Sequence, residues 1–202
     1  MRHKEFLAIF DLDGTLFDTG EVNYHSYAQA LGECDLTLSR EDYLGIYNGM
    51  HYTDFLPRLF GCEGIYKKPE LSRDEVLLME EIEKVHERKK ELYTGNLFRA
   101  RENIHLFEMI KGLSDTYHMA LVTTANKTNA MQILETFSRR DCFEYILTGE
   151  DITKVKPDPE GFLMAMRYFG VDGGHTMIFE DSKTGLEAAK RSGAAVFAVK
   201  GF

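Results

Sequence analysis

The chain has 202 residues, a formal net charge of -9 and 44% hydrophobic residues. That is enough for one domain with a real core, or for one domain with a smaller one inserted. The acidic balance, with no basic patch, excludes nucleic acid as the main partner, because phosphate backbones demand clustered Lys and Arg.

The first predicted element is the apolar run 6–10. It follows a basic start, Met1-Arg2-His3-Lys4, but it is too short for a signal peptide and suits a strand. No stretch approaches the length of a membrane span. The run meets Asp11-Leu12-Asp13-Gly14-Thr15. A strand ending in Asp-x-Asp delivers two carboxylates to its carboxyl edge, and side-chain alternation sends both to one side. Ligands bind at that edge in open parallel α/β sheets. One carboxylate can attack as a nucleophile, the other can handle protons, and a cation can sit between them. An Asp-Gly hairpin turn is the plain alternative. A calcium loop is excluded, since it needs its glycine at position six and a Glu at twelve, and Val22 occupies the twelfth place from Asp11.

From Asp18 to about Gly95 no strand is expected, only helices at 21–31, 39–48, 53–60 and 72–93, interrupted by Asn48-Gly49-Met50-His51-Tyr52. Residues 80–91 are dense in charge and read as a solvated helix face with i,i+4 pairs. In the same helix Leu78, Ile82, Val85, Lys89 and Leu92 form one stripe, so Lys89 falls on the buried side. It either snorkels, with its stem packed and its head in water, or points toward an anionic substrate. Asp18 and Thr19, ahead of these helices, serve either a hinge or a helix cap.

Beyond the helices, strands at 119–123, 145–148, 177–180 and 194–199 alternate with helices at 102–113, 127–137, 159–169 and 183–191. Such alternation implies right-handed crossovers and a parallel, three-layer α/β domain. Thr123 ends one strand, Lys156 precedes Pro157, and Glu180-Asp181 end another strand. Cys34, Cys62 and Cys142 are odd in number and form no CxxC, which suggests reduced thiols in a cytoplasmic protein.

In that order, an Asp-x-Asp-Gly-Thr strand end, a strand-end Thr, a Lys before Pro and a strand-end acidic pair resemble the haloacid dehalogenase superfamily, and within it the Mg²⁺-dependent phosphatases. The resemblance runs from Phe6 to about Val199. It implies a Rossmann-like core with a parallel sheet (1–18 and 95–202) and an inserted α-helical cap (19–94). It implies hydrolysis of a small phosphate monoester, with Asp11 as nucleophile and Asp13 as acid and base. A carboxylate attacking a dianionic phosphoryl group needs countercharge. The resemblance supplies it as Mg²⁺ held by Asp11, the main-chain carbonyl of Asp13, Asp181 and Glu180, with Lys156 opposite. Thr123, with Thr124 and Asn126, would bind the phosphoryl group, while Asn48, Gly49, Tyr52 and Lys89 would face the substrate from the cap. Asp13 also argues for phosphate rather than halide chemistry, since halide departure needs no proton. A phosphomutase similar to β-phosphoglucomutase, a pyrophosphatase and a non-catalytic sensing or partner-binding domain are the alternatives. The mutase needs a second cationic clamp, and Asn23 and Tyr52 stand where it would use a histidine and an arginine. A small phosphorylated metabolite is the expected partner, with the chain a monomer or weak dimer.

Overall fold

The computed structural model describes residues 4–201, so the basic start Met1-Arg2-His3 lies outside them. Strand β1 (Phe6–Phe10) leads through a tight turn to the two-residue β2 (Phe17–Asp18). Helices follow: α1 (Gly20–Gly32), the short α2 (Arg40–Asp42) continuing into a π-helical turn at Tyr43–Tyr47, α3 (Tyr52–Leu59) and α4 (Arg73–Asn96). Then come β3 (Arg101–Glu102), α5 (Ile104–Leu113), β4 (Tyr117–Val122), α6 (Lys127–Thr136) and β5 (Tyr145–Leu147). The last elements are α7 (Glu160–Phe169), β6 (Thr176–Glu180), α8 (Lys183–Arg191) and β7 (Ala195–Ala198). The chain divides into two compact units. One combines the residues through Thr19 with those from Arg101 onward, and the other is Gly20–Ala100.

The first unit is α/β. Its five-stranded sheet runs β5-β4-β1-β6-β7 with every neighbour parallel. From β1 the chain moves outward through α5 to β4 and through α6 to β5. It then crosses back through α7 to β6 and on through α8 to β7. Right-handed crossovers running in opposite directions place α5 and α6 on one face and α7 and α8 on the other. The sense of winding reverses between β1 and β6, and ligands bind at such a switch point. Leu7, Ile9, Ala120, Val122 and Ile178 pack with Phe162, Ala165, Ala188 and Ala189 of α7 and α8. On the alternate positions Phe10 stacks on Phe179, with ring centroids 4.7 Å apart. β1 is therefore buried on both faces, as the continuous apolar run predicts.

Two differences from the sequence expectation have plain causes. β1 ends at Phe10, so Asp11 and Asp13 do not share a strand. The backbone turns at Gly14 (φ +86°), whose N–H donates to the Phe17 carbonyl at 2.7 Å. The antiparallel pair β2–β3 is too short to leave a periodic signal. Glu102, expected to open a helix, lies in β3, because Asn103 caps α5 by accepting the Leu106 N–H at 3.3 Å.

The second unit is helical, and α1 packs along α4. Tyr27, Leu31, Tyr43, Phe55, Leu56, Ile82 and Val85 form its core. Ser72 and Glu75 close a capping box at the start of α4. The helix continues through Gly95, beyond the expected end at residue 93. Its charged face carries pairs at i,i+3, Glu87 with Lys90 and Arg88 with Glu91, rather than at i,i+4. The expected helix at 39–48 is split, and its second half is the π turn closed by the Asn48 N–H on the Tyr43 carbonyl.

One half-buried group is expected to make this unit acid-sensitive. The His86 ring lies against Tyr52 and within 3.0 Å of the Tyr27 hydroxyl. Burial first, then Lys89 and Lys90, hold it down to about 4, against an ordinary 6.5. The unfolded chain therefore takes up its proton first as the pH falls. Stability should decline from the ordinary value down to the depressed one, and not above it. His86→Gln is expected to flatten that segment of a plot of urea midpoint against pH. An unchanged profile would assign the acid loss to another group.

Candidate active site

Asp11 continues the ladder of β1, its N–H donating to the Phe179 carbonyl at 3.0 Å. By alternation it follows Leu7 and Ile9 onto the face covered by α7 and α8. Glu180 ends β6 on the same face as Ile178. Lys156 comes from the segment before α7, and its ammonium sits between the two acids. It lies 2.5 Å from an Asp11 oxygen, 2.6 Å from a Glu180 oxygen and 3.2 Å from the Val122 carbonyl. All three side chains are nearly closed to solvent, with 7% (Lys156), 9% (Asp11) and 1% (Glu180) exposed.

The outer oxygen of Glu180 accepts from the Asp181 and Ser182 amides and the Ser182 hydroxyl, at 3.2, 3.1 and 2.9 Å. Ser182 also caps α8. Asp181 accepts from the Thr15 hydroxyl at 2.8 Å. Two glycines make these approaches possible. A Cβ on Gly14 would overlap the Asp181 carboxylate, and one on Gly185 would overlap that of Glu180.

One lysine faces two buried acids, and the electrostatics follow. Burial pushes Asp11 well above the usual carboxylate range; Lys156 pulls it back, while Glu180 and Asp13 push it further. Burial pulls Lys156 down, but Asp11 and Glu180 outweigh it and leave the ammonium raised. Asp181 is raised, chiefly by burial, against the Thr15 hydrogen bond. Ionising all the acids therefore calls for a second cation. Oxygens of Asp11, Glu180 and Asp181 lie within 4.8 Å of one another. An all-carboxylate donor set suits a hard divalent ion such as Mg²⁺, so these residues fit that metal.

Asp13 lies in the turn after β1, and its carboxylate accepts from the Thr19 hydroxyl at 2.5 Å. Thr123 follows β4 and is buried; its hydroxyl accepts from the Ala125 N–H at 3.0 Å. Thr124 is exposed, with its carbonyl against Gly149. Asn126 caps α6 through the Asn129 N–H at 2.8 Å. Asp18 pairs with Arg101 at 2.5 Å. Thr15 and Ser182, partners of Asp181 and Glu180, were not singled out from the sequence, and Thr19, read there as a hinge or cap residue, is the partner of Asp13. Thr15 closes the Asp11–Thr15 motif and Ser182 directly follows the acidic pair, where that signal was available.

The remaining candidates lie in the helical unit. Asn48 and Gly49 (φ +83°) are exposed in the turn before α3. The Tyr52 ring stacks on His86 with centroids 3.8 Å apart, and its hydroxyl donates to Glu83 at 3.0 Å. Lys89 is buried at 7% exposure, its ammonium 5.1 and 4.9 Å from the Tyr27 and Tyr93 ring centroids. Its head therefore does not snorkel into water.

This parallel fold, with an Asp–Lys–acid centre at its switch point, defines a hydrolase architecture that comparison with known proteins identifies. The family model "haloacid dehalogenase-like hydrolase" matches residues 8–199, and the chain belongs to that family. It is accordingly an enzyme of the hydrolase class. The chain is similar to a phosphorylated carbohydrates phosphatase of Thermotoga maritima, 29% identical over 92% of this chain and 80% of that protein. It is also similar to the pyrophosphatase PpaX of Bacillus velezensis, 29% identical over 96% and 82%. The structure of CbbY from Rhodobacter sphaeroides in complex with phosphate shares the fold. Its TM-score is 0.75 at 22% identity, covering 98% of this chain and 87% of that one.

Proposed function

We propose that the protein is a Mg²⁺-dependent phosphatase that hydrolyses a small phosphate monoester through a phospho-aspartyl intermediate on Asp11. The observation that carries this reading is the Lys156 ammonium held between Asp11 and Glu180, beside a third carboxylate, at the switch point of a parallel sheet. A carboxylate kept dehydrated beside a fixed ammonium is equipped to attack an electrophile that itself carries negative charge.

In the first step an Asp11 oxygen attacks phosphorus, and the bond to the leaving oxygen breaks. Asp13 gives that oxygen a proton. In the second step Asp13, now ionised, takes a proton from water. The water oxygen bonds to phosphorus, the acyl-phosphate bond breaks, and Asp11 and inorganic phosphate are restored. The Thr19 hydroxyl on Asp13 fixes the carboxyl orientation in both steps. Lys156 offsets the charge gathering on the phosphoryl oxygens. Thr123, Thr124 and Asn126 are the candidates for binding the phosphoryl group. When bound by Asp11, Asp181, Glu180 and the Asp13 carbonyl, Mg²⁺ would neutralise charge and orient the phosphoryl group.

The substrate is a small phosphorylated metabolite, with Asn48, Gly49, Tyr52 and Lys89 proposed to face it. Hydrolysis is favoured over phosphoryl transfer by Tyr52. A phenol tied to Glu83 is a poor clamp for the second phosphate of a bisphosphate intermediate. Three free cysteines support a reducing, cytoplasmic setting. No helix among the described residues is long and apolar enough to cross a membrane.

A screen of sugar phosphates, phosphoglycolate, nucleotides and pyrophosphate, with and without Mg²⁺, tests the assignment. Turnover should require Mg²⁺, disappear with EDTA and be inhibited by Ca²⁺, whose longer bonds and higher coordination number spoil in-line geometry. Asp181→Ala should weaken Mg²⁺ affinity, measured by calorimetry, more than Lys156→Ala does. Metal-independent release of phosphate would refute the reading.

A further inference from the structure

Lys156 has four rotatable side-chain bonds and stands on a backbone segment that belongs to no strand or helix. Its ammonium nevertheless occupies one position between two acids. Two side chains outside the reacting centre hold that segment from opposite ends. The Glu160 carboxylate, at the first residue of α7, accepts the Thr153 N–H with one oxygen and the Lys154 N–H with the other, at 3.1 and 2.7 Å. The Arg191 guanidinium, at the last residue of α8, donates to the Pro157 carbonyl at 2.8 Å. The anchors thus flank Lys156 on both sides in sequence. The Asp158 carboxylate accepts the Glu160 N–H at 3.0 Å at the start of the helix, and the Asp158 N–H closes the turn over Lys156 on the Val155 carbonyl at 3.0 Å.

We propose that Glu160 and Arg191 are positioning residues, a two-point brace that sets the Lys156 ammonium between Asp11 and Glu180; the proposal rests on the phosphatase reading above. The bonds are charge-assisted and to backbone, so they restrict the chain on both sides of the lysine. Arg191 also ties this segment to the helix whose other end follows the acidic pair, so acids and lysine are set in one frame. A merely structural role is the competing account. An acid in the first turn of α7 and a cation in the last turn of α8 both complement a helix dipole.

A double-mutant cycle separates the two. Glu160→Gln, Arg191→Met and Arg191→Lys are made in the wild-type and Lys156→Met backgrounds. Kinetics with p-nitrophenyl phosphate and Mg²⁺ are measured with calorimetric binding of inorganic phosphate. Glu160→Gln and Arg191→Met should each lower kcat and weaken phosphate binding about tenfold, as expected for a misplaced charged group. Arg191→Lys, which still reaches a carbonyl, should restore both to within about twofold. In Lys156→Met, neither variant should weaken phosphate binding further. Equal losses with and without Lys156, or no loss at all, would overturn the brace. Wild-type protein without turnover would remove the phosphatase reading and the brace with it. Active wild type with unaltered Glu160→Gln and Arg191→Met removes the brace alone.

Discussion

Asp11→Asn is expected to abolish turnover, a loss of roughly 10⁴-fold or more, as for other nucleophile deletions. The amide keeps the shape of the carboxylate but cannot form the acyl-phosphate. Stability should not fall with it. Burial and the neighbouring Glu180 work against the ionised form of Asp11, so the neutral isostere removes a disfavoured charge while Lys156 keeps Glu180 as its partner. Mass spectrometry of rapidly quenched wild-type enzyme should find phosphate on Asp11. Asp13→Asn should share the phenotype in graded form, with the greatest loss for substrates whose leaving groups are poor and need a proton. Wild-type rates in Asp11→Asn would sink the mechanism outright.

Lys156→Met should show the largest effect on stability. It removes the ammonium and leaves two carboxylates, at 9% and 1% exposure, facing each other without countercharge. Breaking a buried pair in this way costs about 3–5 kcal/mol. Mg²⁺ should return part of that loss, since an ion that binds only the folded state stabilises it in proportion to the logarithm of its concentration. Urea unfolding in EDTA and in excess Mg²⁺ is the measurement. A Lys156→Met midpoint equal to wild type in EDTA would mean that the Lys156 ammonium does not stabilise the buried acids. Glu180→Gln should be milder, because Asp11 and Lys156 remain paired.

Much of the core unit was legible because its signals are local. Runs of apolar residues bounded by turn-formers mark the strands, and four separated motifs fall at strand ends or just before a helix. The Asp–Lys–Glu centre follows from them only once the strand order is known, since Asp11 and Lys156 are far apart in sequence. Three things were hidden, each for a physical reason. The β2–β3 pair is too short to carry a period of two. The separation of Asp11 from Asp13 depends on Gly14 leaving the strand, and a one-dimensional pattern does not report where a ladder stops. The hydrogen bonds from Thr15 and Thr19 to the acids are tertiary contacts of ordinary hydroxyls. In the helical unit, the periodicity correctly put Lys89 on the buried side. It could not foresee the Tyr27 ring beside the ammonium, which comes from α1, whereas Tyr93 lies at i+4 on the same helix.

Gly14 and Gly185 bear on when the enzyme meets its entropic cost. Each presses bare backbone against a carboxylate, Asp181 and Glu180 respectively. Neither acid has room to swing toward its glycine. Their rotameric freedom is surrendered when the chain folds, so on the phosphatase reading proposed above little reorganisation of these acids would accompany the rise of charge during reaction. The expense falls on the folding equilibrium, which carries it once per molecule, and every catalytic cycle thereafter starts from acids already in place.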